Sequence, residues 1–384
     1  MRLDHISLKG FRNYEEADIE FSDGVNIFLG SNAQGKTNMV EAIYFLALAR
    51  SHRTAKDKEL IGYDNDFARV SGMVKNNRDT FPLEITVSNK GKKAKVNYLE
   101  QPKLSQYIGH LNVIMFAPED LDIVKGSPMI RRRFIDIELG QMSPIYLHHL
   151  LEYQKILKQR NQYLKLSNDN KKFDKIYFDI LTEQLANEAA HVIYERYKFT
   201  DLLETWAQPI QEEISQSKEA LSVKYISAVD KELSGQKETI YGELIRLYEK
   251  NIDKEKYRQT TTIGPHRDDL EFYINDRNVQ TYGSQGQQRT TALSIKLAEI
   301  ELMKQMTDEY PILLLDDVFS ELDDSRQIHL LKAIQNKVQT FLTTTNLDAV
   351  NIDLLKKPKI FNVSNGNIKL DDTMNSNVSK ESGD

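Results

Sequence analysis

The sequence contains no cysteine, which excludes disulfide staples, thiolate metal sites and cysteine nucleophiles. It also lacks a long hydrophobic run. The longest, residues 42–49, falls far short of the roughly 18 residues a membrane-crossing helix needs. The start, Met1-Arg2-Leu3-Asp4-His5, has no charged segment leading into an apolar one, so no secretory signal is expected. Positive charge is in deficit as well: the net charge is −6, which argues against a uniformly basic nucleic-acid coat while leaving local patches open. Together these absences point to a cytoplasmic chain without a membrane partner. Its 384 residues exceed one comfortable core and predict about two to three lobes.

What is present begins with Gly30-Ser31-Asn32-Ala33-Gln34-Gly35-Lys36-Thr37, which fits the phosphate-binding pattern G-x-x-x-x-G-K-[ST]. Its context suits the chemistry, because residues 25–29 read as a buried strand and residues 38–50 as a helix. Backbone N–H groups in such a turn, with the positive end of a helix behind them, cradle phosphates. Lys36 then pairs with the β/γ-phosphates and the Thr37 hydroxyl ligates Mg2+. The chain is expected to bind ATP or GTP.

A second piece supplies carboxylates. Ile312-Leu313-Leu314-Leu315-Asp316-Asp317 reads as a central parallel strand whose C-terminal edge presents two acids. Asp316 is expected to hold Mg2+ and Asp317 to polarise the attacking water. The third piece, Ser284-Gln285-Gly286-Gln287, precedes a long amphipathic helix at 289–306 and sets Ser284, Gly286 and Gln287 at a second anion-binding helix start. It resembles the signature motif of ABC-type ATPases, and Ser320-Glu321-Leu322-Asp323 resembles their D-loop. In that class the signature of one subunit closes on the γ-phosphate held by the other, so ATP joins two copies.

Between these pieces the pattern changes. Residues 70–74 and 83–87 alternate as half-buried antiparallel strands. Residues 143–219 turn helical, with 144–166 reading as one helix about 35 Å long at ~1.5 Å per residue, then a polar break at 167–172. The stretch 222–257 is mixed and carries no clear assignment. Gly264-Pro265-His266-Arg267-Asp268-Asp269 reads as a turn with a dense polar cluster. Two basic patches stand out as candidate DNA contacts: Lys92, Lys93 and Lys95, read as a hairpin tip, and the triplet Arg131, Arg132 and Arg133. Residues 371–384 are polar and expected to be disordered.

These motifs, with Leu8-Lys9-Gly10-Phe11-Arg12-Asn13-Tyr14, Phe116-Ala117-Pro118-Glu119-Asp120-Leu121 and Lys125-Gly126-Ser127-Pro128, resemble the RecF family of bacterial recombinational repair over nearly the whole chain. The resemblance implies an α/β fold: an ABC-type P-loop ATPase head of mixed sheets and helices, related to SMC heads, with an inserted helical arm. The head is expected at 1–142 and 258–370 and the arm at 143–257. It implies ATP-dependent homodimerisation on gapped duplex DNA or single-strand/double-strand junctions, cooperation with RecR and RecO in loading RecA, and association with the nucleoid. It also implies that Arg12 and Asn13 lie at the nucleotide's edge. Two departures from the wider ABC pattern imply slow, weak DNA-stimulated hydrolysis that serves as a release timer. Asp317 stands where a Glu base is usual, and Thr343-Thr344-Thr345-Asn346 stands where a switch His is expected; no Q-loop glutamine is evident. The alternatives are an SMC-like DNA-binding module with negligible turnover and a soluble ABC-transporter-like subunit.

Overall fold

The computed structural model describes residues 1–166, 173–320, 322–335, 337–347, 355 and 358–371. The polar break at 167–172, Glu321 of the D-loop-like stretch and nearly all of the tail at 371–384 lie outside the described residues. Two compact units emerge, Met1–Asp120 with Leu293–Asp384, and Leu121–Ala292.

The first unit contributes strands β1 (Arg2–Phe11), β2 (Tyr14–Glu20), β3 (Val25–Leu29), β4 (Phe67–Lys75), β5 (Thr80–Ser88), β6 (Gly91–Val96), β7 (Leu99–Glu100) and β8 (Val113–Phe116), with helices α1 (Lys36–Leu48) and α2 (Leu104–Tyr107) between them. Helices α3 (Leu121–Lys125), α4 (Pro128–Met142), α5 (Pro144–Leu166), α6 (Lys175–Ile214) and α7 (Lys237–Arg258) follow, with strands β9 (Leu221–Ile226), β10 (Asp269–Ile274) and β11 (Arg277–Asn278) and helix α8 (Val279–Tyr282). Helix α9 (Gln285–Thr307) contains the Ala292/Leu293 boundary, and β12 (Ile312–Asp316), α10 (Asp324–Ile334), β13 (Thr340–Thr344), β14 (Lys359–Ser364) and β15 (Asn367–Leu370) complete the first unit.

In the first unit a mixed sheet runs β15-β14-β3-β13-β12-β8 and an antiparallel sheet runs β2-β1-β4-β5-β6-β7. The centre of the mixed sheet is parallel: β13 pairs with both β3 and β12, and β12 with β8. Its strands are buried on both faces, which is why they read as continuous apolar runs. The antiparallel sheet alternates instead. Leu83, Ile85 and Val87 point into the core while Glu84, Thr86 and Ser88 point away. Helix α1 is apolar around most of its circumference, with Met39, Val40, Ile43, Phe45 and Leu46 all buried, and it packs against strands of both sheets. Such a helix belongs in a core, and burying each of those side chains contributes ~1.5–3 kcal/mol. Fixing α1 fixes the loop at its N-terminus.

The second unit is the helical arm with a small sheet, β11-β10-β9. The unassigned stretch becomes β9 and α7, and β9 pairs along its length with β10. This pairing, with the ion pair of Arg131 to Asp269 and that of Arg196 to Asp136, draws residues 121–142 and 258–292 into the arm's unit, beyond the 143–257 expected from pattern alone. A buried polar network holds the unit together. Arg160 and Glu255, both fully buried, pair at 2.8 Å. Arg196 donates to Asp136, to the Tyr146 and Tyr225 hydroxyls and to the Pro265 carbonyl. The polar turn at 264–269 is thus built into a core.

His266 sits in that network. Its Nε2 faces the Thr261 carbonyl at 3.1 Å, which can only accept, so Nδ1 is the acceptor for the Tyr153 hydroxyl at 2.5 Å. This is the neutral tautomer, and burial pushes the His266 pKa down to about 4. In the unfolded chain the ring protonates near its ordinary value of about 6.5, so between those two values the unfolded state binds the extra proton. Stability is full above pH 7 and falls as pH drops, by up to ~1.4 kcal/mol per pH unit from this group. His266→Gln is expected to flatten the dependence of unfolding free energy on pH between about 6.5 and 4, measured by urea denaturation; an unchanged slope would place the proton uptake elsewhere.

Candidate functional site

The phosphate-binding loop leaves β3 at Leu29 and enters α1 at Lys36. Gly30 has no room for a side chain, since a Cβ there would lie 2.4 Å from the Val363 carbonyl oxygen. Gly35 caps α1 at φ 119°, a backbone that favours glycine, and its carbonyl accepts from the Tyr14 hydroxyl at 2.8 Å. Gln34 anchors the loop from outside: its backbone carbonyl accepts from Gly366 N–H and Asn13 Nδ2, and its Oε1 from Asn365 N–H. Ser31, Asn32 and Ala33 are exposed, with Ala33 at φ 64°. The first turn of α1 has no acidic residue and no side-chain cap. A helix start left open in this way attracts anions.

Lys36 is buried and folds its Nζ back onto the carbonyls of Gly30 and Ser31 at 2.6 and 2.8 Å. Burial lowers its pKa, while the nearby charges of Asp317 and Asp316 oppose that shift. Thr37 Oγ1 donates to Asp316 Oδ1 at 3.0 Å, and Thr343 Oγ1 donates to the same oxygen at 2.8 Å. A hydroxyl and a buried carboxylate beside a phosphate cradle are the hard oxygen donors a divalent cation takes. Asp317, next along, is exposed and sits in left-handed backbone at φ 52°. Its N–H donates to Thr343 Oγ1 at 2.9 Å and its carbonyl accepts from Ser320 Oγ. The structure therefore brings the loop, Asp316 and Asp317 together, with Thr343 as a bracing residue between the acids.

Arg12 makes a two-pronged pair with Glu41, at 2.9 and 2.7 Å, and its third bond goes to the Glu59 carbonyl. Asn13 bridges Gln34 and Asn38. Glu41 itself is fully buried in α1. Burial pushes its pKa up, but hydrogen bonds from Arg12 and Ser51 and the Arg12 and Arg53 charges outweigh that and hold it below the usual carboxylate range. Arg53 reaches Asn38 Oδ1 at 2.9 Å over the first turn of α1. Sequence reasoning missed Glu41, Ser51 and Arg53, although a charged residue inside the apolar run 39–49 signals a buried acid that needs cationic partners.

In the second unit, Ser284 and Gln287 form a reciprocal cap. Ser284 Oγ accepts from Gln287 N–H at 3.2 Å and Gln287 Oε1 accepts from Ser284 N–H at 2.9 Å. Ser284 and Gly286 are exposed. The basic candidates divide. Lys92 is turned inward to the Ala49 carbonyl and Asp57, whereas Lys93 and Lys95 lie on the outer face of β6 in pairs with Glu100 and Glu84. They belong to a strand, not to a hairpin tip. Arg131 is buried in its pair with Asp269, Arg132 binds the Asp268 carbonyl, and Arg133 is exposed.

A parallel-sheet core, a P-loop opening a buried helix and an acid pair at the end of the next strand but one define a P-loop ATPase head of the ABC type. The family model described as RecF/RecN/SMC N terminal domain matches residues 2–368. The chain is 56% identical over 366 residues to the DNA replication and repair protein RecF of Pediococcus pentosaceus, covering 95% of this chain and 98% of that one. It is 55% identical over 372 residues to RecF of Enterococcus faecalis, covering 96% and 99%. A solved structure of the recombination mediator protein RecF with ATP, in the RecFOR pathway, aligns with TM-score 0.88 at 34% identity over 96% of this chain and 97% of that one. An SMC head bound to part of ScpA aligns with TM-score 0.54 at 16% identity, a likeness of fold alone. The chain belongs to the RecF family. Among the described residues no helix is long and apolar enough to cross a membrane.

Because Glu41 has no solvent contact and neutralises Arg12, Glu41→Gln is expected to destabilise the protein by about 3 kcal/mol, the lower end of the range for breaking a buried pair. Chemical denaturation at neutral pH measures it; a change below about 1 kcal/mol, the scale of an exposed pair, would mean the pair does not anchor α1.

Proposed function

We propose that this protein is an ATP-dependent DNA-binding protein of replication and repair, in which ATP joins two copies on DNA. The observation that carries the reading is that one chain presents, besides the cradle of Gly30, Gly35 and Lys36, a second exposed helix start at Ser284, Gly286 and Gln287, which we read as a second phosphate-facing site. One nucleotide needs one cradle, so the second is there for the nucleotide of another copy. Gly30, Gly35 and Lys36 would hold the β/γ-phosphates, and Thr37 and Asp316 would hold Mg2+, which would supply charge neutralisation at the phosphates. Asn13 and Arg12 flank the loop.

Asp317 is proposed to polarise the attacking water. Its short, exposed side chain suits slow turnover that times release more than it suits a motor. Gapped duplex or a single-strand/double-strand junction is the proposed substrate, with RecR and RecO as partners, RecA as the downstream filament and the cytoplasm, at the nucleoid, as the place of work. The relatives named for replication and repair, and the solved recombination mediator bound to ATP, support this reading. Arg133, Lys93 and Lys95 are the proposed phosphate contacts of the earlier six, with Arg131, Arg132 and Lys92 holding their surroundings.

Ser284→Arg is expected to leave ATP affinity of the single copy intact while abolishing ATP-induced dimers. Lys36→Met should lose nucleotide binding through a lost charge-assisted bond. Mixed together, the two variants retain one intact cradle facing one intact cap and should form a heterodimer with ATP, sized by analytical ultracentrifugation. Dimerisation of Ser284→Arg alone at the parent level, or no heterodimer, overturns the shared-site reading.

Asp317→Asn should keep ATP binding and slow hydrolysis by about 10²–10⁴-fold, the usual cost of a lost base. Phosphate release with and without gapped DNA measures it. Turnover at the parent rate would remove Asp317 from the chemistry.

A further inference from the structure

The outer face of the antiparallel sheet carries a row of basic side chains that begins beside Glu16 on β2, which lies directly opposite Lys9. Lys9 on β1 lies directly opposite Arg69 on β4, Arg69 opposite Thr86 on β5, and Thr86 opposite Lys93 on β6. Like charges directly opposite across strands, with Cβ atoms about 5 Å apart, destabilise a sheet. Lys9 and Arg69 are both exposed and, among the described residues, neither makes an ion pair within 4 Å; Lys9 has the exposed Glu16 across from it on its other side, and Arg69 has no acid opposite it on either neighbouring strand and rests over the Phe67 ring. Among the described residues Lys93 pairs with Glu100, and both are exposed. Such a pair contributes little in water and gives way to a better anion. The row crosses three strand spacings, roughly 14 Å at ~4.8 Å each.

One row along, roughly 7 Å further at ~3.4 Å per residue, the same face holds a cavity of about 220 Å3 lined by His5, Ser71, Glu84, Lys95 and Tyr98 among others. Its carboxylate is already matched by Lys95 at 2.8 Å, and His5 by Asp18. Tyr98 is 77% exposed. It occupies the second position of the two-residue turn between Val96 and Leu99, with Asn97 and Tyr98 both in left-handed backbone at φ 49° and 67°. Glycine is the usual residue there, and a bulky residue in left-handed backbone is strained. An exposed aromatic ring held at a conformational cost, beside a polar cavity and one row from an exposed row of cations, is an outlier that points to function.

We propose that this face binds single-stranded nucleic acid, with Lys9, Arg69 and Lys93 tracking successive phosphates and Tyr98 stacking a base over the cavity. A basic track with an aromatic platform beside it is the chemistry that holds unpaired strands. A duplex, whose bases are already stacked, gives the Tyr98 ring nothing to bind. The inference rests on the DNA-binding reading above and locates the unpaired strand of its substrate.

The test uses the full chain with saturating ATP and anisotropy of labelled oligothymidine and of a labelled duplex. Tyr98→Gly removes the ring and relieves the backbone at once, so its melting temperature should be unchanged or higher while oligothymidine affinity falls about 5- to 150-fold and duplex affinity holds. Tyr98→Phe keeps the platform and should bind like the parent. Lys9→Gln with Arg69→Gln should flatten the slope of log affinity against log salt for oligothymidine by about 1.4, from ~0.7 per phosphate contact. Tyr98→Gly binding oligothymidine as tightly as the parent overturns the proposal, as does a slope change on duplex alone, which would assign the face to paired DNA. If the parent binds neither form, the DNA-binding reading itself fails.

Discussion

Asp316 accepts two hydroxyl hydrogen bonds on one carboxylate oxygen, from Thr37 at the start of α1 and from Thr343 on β13, and the geometry of the first unit's site depends on that junction. The three residues come from distant parts of the chain, brought side by side because β3, β13 and β12 are neighbouring parallel strands ending at one edge. Ligands of α/β sheets collect at that edge because helix starts and strand ends converge there. Without the junction, the loop and the acids would be parts of two elements and not one site. With it, a cation held by Thr37 and Asp316, as proposed, would replace a hydrogen bond already made, so little rearrangement would be required.

The rest of the cradle is held in the same preformed way. Gln34 is tied down by three donors from β14–β15 and from Asn13, and the Tyr14 hydroxyl ties Gly35. Lys36 spends its charge on loop carbonyls in a site where burial disfavours the ammonium and the two aspartates favour it. A triphosphate supplies a stronger partner than either carbonyl, since charge-assisted bonds exceed neutral ones about twofold. A nucleotide bound there, as proposed, would complete an arrangement that is already folded.

The parts of this site that sequence revealed were those whose signal is local. The loop's spacing, the apolar run before Asp316, the alternation at 70–74 and 83–87 and the helix at 144–166 each depend on neighbours in the chain, and each appears where its pattern put it. The basic patches divide because the faces of an element, and not residue type alone, decide which side chains reach solvent. Consecutive residues on a helix turn about 100° apart, so Arg131, Arg132 and Arg133 on α4 cannot share one face, and only Arg133 is exposed. Alternation on β6 likewise sends Lys92 inward and Lys93 outward. The row of Lys9, Arg69 and Lys93 could not be read at all, since it exists only through the register of four strands that are not all consecutive in sequence.

Strand β1 connects that register to the nucleotide. Its pleat sends Leu8 into the core, where it is fully buried, and Lys9 out to the charged row. At its end the chain turns through Arg12 in left-handed backbone, pins Glu41 of α1 with two hydrogen bonds and reaches Gln34 through Asn13. The outer row and the cradle's edge are thus about 10 Å apart along β1 and the turn that ends it, at ~3.4 Å per residue. Two ligands influence each other only by as much as each prefers one arrangement of what joins them, and that influence is reciprocal. A nucleotide that draws Asn13 and Arg12 toward the phosphates acts on the same strand that presents Lys9. If ATP and an unpaired strand bind as proposed, whatever ATP does to affinity for the strand at this face, the strand must do equally to affinity for ATP.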